Sequence, residues 1–168
     1  LTQDADLDGY QDADDDCNTT AGTSTIDRTG CPDTDGDGYS NPDGNWTVNN
    51  GADAFPSETT QWADQDYDGY GDNAAGVQPD ACVATAGNST GDRFGCTDSD
   101  GDGYSDPDGS WTTASGADAC SSVSGTSNQD RNGCADQDGD GYSDPDGSWG
   151  TTNGCLLYTS PSPRDKSS

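Results

Sequence analysis

One short pattern constrains this chain more than anything else in it. Asp-x-Asp-x-Asp-Gly-Tyr occurs five times, starting at Asp4, Asp33, Asp64, Asp98 and Asp136. The starts lie 29, 31, 34 and 38 residues apart, so fixed loops alternate with linkers of variable length. Self-similarity at this period means an array of units rather than one packed domain. Gly, Asp, Asn, Ser and Pro fill the segments between, and neither helical nor strand periodicity is visible. The expected fold is therefore irregular: a mostly loop and coil repeat array with little regular secondary structure.

Composition agrees. Leu, Ile, Val and Phe number eleven in 168 residues, too few for a sizeable oily core. No apolar run approaches the ~18 residues of a membrane span. Thirty-three acidic residues face five basic ones, and Glu58 is the single glutamate. Near-exclusive use of Asp points to tight turns, where its short carboxylate bonds nearby backbone. A net charge of −28 argues against nucleic acid as a partner. No His is present, and residues 1–154 contain no Lys, so no catalytic set can be assembled; a non-enzymatic role is expected.

Composition shifts after Gly154. Residues 155–165 are what one frame of a transposase sequencing adapter encodes, so 155–168 is expected to be a non-native tail. The chain starts at Leu1 without a leader and reads as an internal fragment of something longer. The repeat domain is then 1–154.

Three linkers carry cysteines 14 residues apart: Cys17 and Cys31, Cys82 and Cys96, Cys120 and Cys134. Each second cysteine ends an Asp-Arg-x-Gly-Cys run two residues before the next loop. The linker after the second loop lacks cysteine. Phe55 and Trp62 stand in the corresponding places, where packing is expected to supply what a disulfide supplies elsewhere.

The loops are suited to a hard cation. Calcium takes six to eight oxygen ligands, and Asp at loop positions 1, 3 and 5 can converge on one ion while Gly at position 6 allows the chain to turn. The expected ligands are Asp4, Asp6 and Asp8; Asp33, Asp35 and Asp37; Asp64, Asp66 and Asp68; Asp98, Asp100 and Asp102; Asp136, Asp138 and Asp140. Backbone carbonyls of Tyr10, Tyr39, Tyr70, Tyr104 and Tyr142 follow at position 7. Position 9 supplies Asp12, Asn41, Asp72, Asp106 and Asp144, directly or through water. No Glu closes the loops as in an EF-hand; the closing carboxylates are expected to be Asp15, Asp53, Asp80 and Asp118, each two residues before a Cys or Phe55. The fifth loop has no equivalent before the break at Gly154. Asp43, Asp108 and Asp146, in Pro-Asp-Gly turns, are expected to hold a second ion or orient the first.

At these residues the chain resembles the thrombospondin type 3 repeat. Asp4, Asp6, Asp8, Gly9, Asp12, Asp15 and Cys17 match that family's pattern position for position. The other loops match through position 9, with Asn41 replacing Asp in the second. Inserts such as Pro107-Asp-Gly-Ser-Trp111 then push the closing Asp outward. The likeness covers residues 1–154 and is nearest to prokaryotic surface-protein versions. It implies an extracellular, calcium-wrapped, coil-like stalk active in cell adhesion or matrix contact, with other surface proteins or glycans as partners. A noncatalytic accessory region of a secreted enzyme and a disordered acidic linker are the alternatives. The six cysteines of residues 1–154 allow fifteen connectivities. Equal spacing favours the local pairs, each worth about 3 kcal/mol in the chain-entropy model; pairing between successive units, which the family also shows, is the other scheme. Disulfides imply an extracellular or cell-surface location. Trp46, Trp111 and Trp149 are read as packing over the loops, with carbohydrate stacking as the alternative. Arg28, Arg93 and Arg131 are expected to pair with loop carboxylates. Asn18, Asn45 and Asn88 fit glycosylation sequons.

Overall fold

A computed structural model describes residues 3–150. The expected tail at 155–168 and the last residues of the fifth linker lie outside them. The chain divides into two compact units, Leu1–Ala84 and Thr85–Ser168. Among the described residues there is no α-helix and no strand. Regular structure amounts to one 3-10 turn, Val48–Asn50, and one isolated bridge between Gly71 and Pro79. Everything else is turn and coil, held by three local disulfides: Cys17–Cys31, Cys82–Cys96 and Cys120–Cys134. The two whose geometry is described hold Cα atoms 5.0 Å apart. The irregular fold and the local pairing therefore match the expectation from sequence.

Each Asp loop is a ladder of side-chain-to-backbone bonds. The position-1 carboxylate accepts from two amides at once: Asp98 from Gly101 N at 2.7 Å and Gly103 N at 2.8 Å. The position-3 carboxylate accepts from position 5, as Asp100 does from Asp102 N at 3.3 Å. Position 5 accepts from the tyrosine amide, as Asp102 does from Tyr104 N at 2.9 Å. Only a short side chain can reach back over so few bonds, which is why the acids are Asp. The bonds wind the chain tightly, and two residues per loop take left-handed backbone. Position 6 is always Gly, with φ between 90° and 103°. Position 4 is also left-handed, and it is Gly36, Gly101 or Gly139 in three loops but Leu7 (φ 68°) and Tyr67 (φ 65°) in the others. The sequence reading recognised the turn glycine only at position 6.

The disulfide linkers fold against their own second cysteine. Thr23 N and Ser24 N both donate to Cys31 O, at 3.0 and 3.1 Å. The backbones approach so closely that a Cβ on Gly22 would lie 1.9 Å from the Cys31 carbonyl carbon; Gly87 and Gly125 are in the same situation. Apart from Gln61 and the acids Asp53, Asp80, Asp98 and Asp118, the buried side chains are small: Cys31, Cys96 and Cys134, Ala52 and Ala117, and serines 24, 40, 89, 105, 127 and 143. The serines are satisfied internally. Ser24 Oγ donates to Arg28 O at 2.8 Å and accepts from Cys31 N at 3.0 Å. The next two residues dock on the following loop, with Thr25 N and Ile26 N donating to Gly38 O at 2.9 and 3.0 Å.

The linker without cysteine closes differently. Ala54 N donates to Trp62 O at 3.0 Å, and the Trp62 ring stacks on Tyr39 with centroids 5.3 Å apart and planes 6° from parallel. Beyond it, buried Gln61 donates to Asn73 O and Val77 O at 3.1 and 3.2 Å and accepts from Asn73 N at 2.9 Å. Trp62 thus packs on the preceding loop, while an amide side chain holds the following one.

Leu7 gives a direct test of the loop geometry. A left-handed non-glycine residue costs about 1–2 kcal/mol, part of which a glycine returns as unfolded-chain entropy. Leu7 is 83% exposed and has little packing to lose. Leu7→Gly should therefore stabilise the folded chain by about 0.5–1 kcal/mol, read as a higher denaturant midpoint. An unchanged or lower midpoint would contradict the assigned geometry.

Candidate metal centre

Each of the five loops brings its three aspartates together. In each of the triads Asp4/Asp6/Asp8, Asp33/Asp35/Asp37, Asp64/Asp66/Asp68, Asp98/Asp100/Asp102 and Asp136/Asp138/Asp140, one carboxylate oxygen per residue lies within 4.8 Å of the others. The ladder explains the convergence. Both oxygens of the position-1 carboxylate are fixed by backbone amides, and at Asp6, Asp35 and Asp100 one oxygen of the position-3 carboxylate is fixed in the same way, which leaves the other in the hollow that the loop encloses.

The closing aspartates arrive at the same hollows. Asp53 N donates to Ser40 O at 3.0 Å, Asp118 N to Ser105 O at 2.9 Å and Asp80 N to Gly71 O at 2.8 Å, so the residue after each loop tyrosine seats the fourth acid. Oδ1 of Asp15, Asp53, Asp80 and Asp118 then accepts the amide two residues on, each at 2.7 Å. A Cβ on Gly133 would lie 2.2 Å from Asp118 Oδ1 and 2.9 Å from Asp102 Oδ2. One on Gly30 would meet Asp15 Oδ1 at 2.4 Å and Asp8 Oδ2 at 3.2 Å. The glycine of Asp-Arg-x-Gly-Cys therefore makes room for the closing and position-5 carboxylates side by side.

What remains on these acids is unusual. Oδ2 of Asp53, Asp80 and Asp118 is buried without a hydrogen-bond partner, and so is Oδ2 of Asp6, Asp35 and Asp100 at position 3. Asp37 Oδ2 is in the same state, whereas Asp8 Oδ2 and Asp102 Oδ2 accept from Gly22 N and Gly125 N at 3.0 and 3.1 Å. The linker after Asp37 is the one without cysteine and has no such glycine. Burial raises the acids' proton affinity, and the neighbouring loop acids add to it. Asp53 and Asp118 are both pushed up to about 6, and Asp6, Asp37, Asp80 and Asp100 move the same way. A buried carboxylate oxygen without a partner is costly. A cation in the hollow would remove that cost, and the donor set, all hard oxygen, suits Ca²⁺ rather than Zn²⁺.

Other expected ligands have different partners. The position-9 side chains clasp the loop shut on position 2: Asp12 Oδ1 accepts from Ala5 N at 2.8 Å, Asn41 Oδ1 from Thr34 N at 3.1 Å and Asp72 Oδ1 from Gln65 N at 3.3 Å. Asp106 and Asp144 do the same to Ser99 N and Gln137 N, at 3.3 and 3.2 Å. An amide oxygen serves this role as well as a carboxylate, which accounts for Asn41. The amides of Tyr10, Tyr39, Tyr70, Tyr104 and Tyr142 are tied to position 5, fixing their backbone at the loop's seventh position.

Asp43, Asp108 and Asp146 are not among the converging acids. They pair with Arg28, Arg93 and Arg131 at 2.8, 2.7 and 2.7 Å. They also cap their own turns, as Asp43 Oδ1 does by accepting from Asn45 N and Trp46 N at 2.7 and 2.8 Å. These bonds hold all three carboxyls well below the ordinary range; turn amides lead at Asp43, the arginines at Asp108 and Asp146. The arginines thus neutralise the inserts, not the triads.

A further set was not singled out in the sequence. Asp27 accepts from Ser40 N at 2.8 Å, Ser40 Oγ at 2.6 Å and Trp46 Nε1 at 2.9 Å, while Arg28 lies 5.4 Å from the Trp46 ring centre. Asp92 with Ser105 and Trp111, and Asp130 with Ser143, repeat the arrangement, and Arg93 and Arg131 lie 5.6 and 5.2 Å from the Trp111 and Trp149 ring centres. Ser40 and Ser105 link the two sets, donating to Asp27 and Asp92 while their carbonyls seat Asp53 and Asp118. The legible signal was Ser after Gly-Tyr in the second, fourth and fifth loops only, the three preceded by Asp-Arg and followed by a Trp insert.

No protein-family model matches the chain, and no curated protein matches it.

Proposed function

We propose that residues 1–154 form a structural calcium-binding repeat region of an extracellular or cell-surface protein, akin to the thrombospondin type 3 repeat and acting as a stalk or spacer in adhesion or matrix contact. The observation that carries this reading is the buried, partnerless Oδ2 of Asp53, Asp80 and Asp118, brought to hollows that already hold three further acids. The triad, the closing aspartate and the backbone of the loop tyrosine would hold the ion. The ion would supply the positive charge that lets these acids stay ionised together. The three disulfides fit an oxidising compartment. Outside the cell, calcium at ~1 mM would suffice for sites of the ~0.1–1 mM class found in extracellular modules. Among the described residues no helix is long and apolar enough to cross a membrane.

Calorimetry on oxidised protein should register calcium uptake, with a smaller hydrodynamic radius than after chelation. Magnesium at equal concentration should do this poorly, because it demands a smaller octahedral shell. Asp118→Asn should weaken the fourth site by at least about tenfold, since affinity follows ligand charge. Gly133→Ala should weaken the same site with every ligand retained, because its methyl group displaces the Asp118 carboxylate. Absence of calcium uptake at millimolar ion would leave the acidic-linker reading in its place.

The pH dependence has a definite sign. In calcium-free protein Asp53 and Asp118 have folded values near 6, above the unfolded value. Acidification from about 6 to about 4 should therefore stabilise the calcium-free fold, and that gain should vanish as pH rises through 6. Calcium competes for the same oxygens, so its affinity should fall over this window. Calorimetry in buffers of different ionisation enthalpy should show proton release on calcium binding near pH 5 and little near pH 7.5. Equal release at both would refute the assignment.

A further inference from the structure

Trp62 differs from the other tryptophans. Trp46, Trp111 and Trp149 each have an arginine of the chain over or beside the ring, next to a carboxylate that pairs with it. These are the three arginines among the described residues, and none of them is left for Trp62. Trp62 stacks on Tyr39 instead. With Tyr39 and Tyr67 it lines a cleft of about 440 Å³, to which Asn49 and Asp72 contribute polar groups; Asp64, also in its wall, has both oxygens taken by the Tyr67 and Gly69 amides. That volume is in the range of small-ligand sites.

Tyr67 is the second observation. It occupies loop position 4 in left-handed backbone (φ 65°), where three other loops have glycine. Its ring is 60% exposed at the cleft, and its hydroxyl donates to Asn49 Oδ1, 18 residues away. Leu7 shares this backbone, but Tyr67 alone of the position-4 residues places an aromatic ring at the cleft. Stacked or caged aromatics beside carboxylates attract cations, and guanidinium does so most often. The chain's net charge of −28 draws cations toward such a cleft and repels anions.

We propose that the Tyr39–Trp62–Tyr67 cleft binds a guanidinium or alkylammonium group of a ligand, completing from outside the aromatic, cation and carboxylate arrangement that the chain builds three times for itself. The site does not rest on the calcium reading, because the Asp64 bonds to Tyr67 N and Gly69 N, at 2.7 and 3.0 Å, set the position of Tyr67.

The test uses the full oxidised chain with millimolar calcium, titrated with acetyl-arginine amide, tetramethylammonium, an Arg-rich peptide and a neutral oligosaccharide. Indole NMR signals and calorimetry are the readouts, and calcium uptake is measured on the same samples. The cations should shift the Trp62 indole and bind with one-to-one stoichiometry. Peptide binding well above that of the free amide would identify a protein partner as the source; equal binding would identify a small cation. Tyr67→Gly should weaken binding at least tenfold while keeping or raising the denaturant midpoint, which separates lost recognition from lost folding. Trp62→Leu should also abolish binding, and Leu7→Gly, the same loop position elsewhere, should leave it unchanged. Cation binding that is unaffected by Tyr67→Gly would be diffuse attraction to an acidic surface and would overturn the proposal. So would Tyr67-dependent binding of the oligosaccharide without the cations. Normal calcium uptake with no cation binding would refute this site alone.

Discussion

The structure is organised by carboxylates brought closer together than bare charges tolerate. Every loop turns three aspartates toward one hollow, and after each of the first four the chain adds a fourth from the linker that follows. Backbone amides take up one oxygen of nearly every one of these groups, which reduces the repulsion without removing it. Tight winding, the left-handed backbone at positions 4 and 6, and the spacing of loop and linker all follow from keeping these acids in reach of those amides. The buried Oδ2 atoms of Asp53, Asp80 and Asp118 are where the compensation stops.

The rest of the interior is built on the same economy of small polar groups. Where an ordinary domain of this length packs leucine and valine, this one buries serine, alanine and cystine. Ser24, Ser40, Ser89 and Ser127 each hydrogen-bond with three other residues, so they act as connectors rather than filler. Close approach replaces side-chain volume as the source of contact. Gly22, Gly87 and Gly125 lie directly against the backbone of the second cysteine, and a single added methyl group would not fit.

Much of this was legible in the residues. The loop positions, the irregular fold, the local cysteine pairs and the closing aspartates all follow from the register of a fivefold repeat, because repetition fixes which offsets matter. The parts that were not legible involve bonds found in only some of the five units. Asp27, Asp92 and Asp130 bond serines 13 residues later, and the first two also bond tryptophans 19 residues later, across a loop, and nothing in the Asp-Arg dipeptide alone announces that. Asp43 and its equivalents read as spare ligands until the arginine geometry places them. Asn41 looks like a weakened ligand in sequence and turns out to be an adequate clasp, because the role needs an acceptor and not a charge. The glycines at position 4 were passed over because two of the five loops have Leu7 and Tyr67 instead.

The local cystines also govern how far the chain can reach. Cys17 and Cys31, like Cys120 and Cys134, are held with Cα atoms 5.0 Å apart across 14 residues. A fully extended segment of that length would span about 45–50 Å. Each bridge therefore withholds on the order of 40 Å of contour from a molecule pulled at its ends. The linker from Phe55 to Trp62 has no such lock and is held by the Ala54–Trp62 backbone bond and the Tyr39–Trp62 stack instead. Pulled at its ends, the chain would keep its length across the cystine-closed linkers, while the linker between the second and third loops could yield once its noncovalent bonds part. Its maximum length would be set by the redox state of its surroundings.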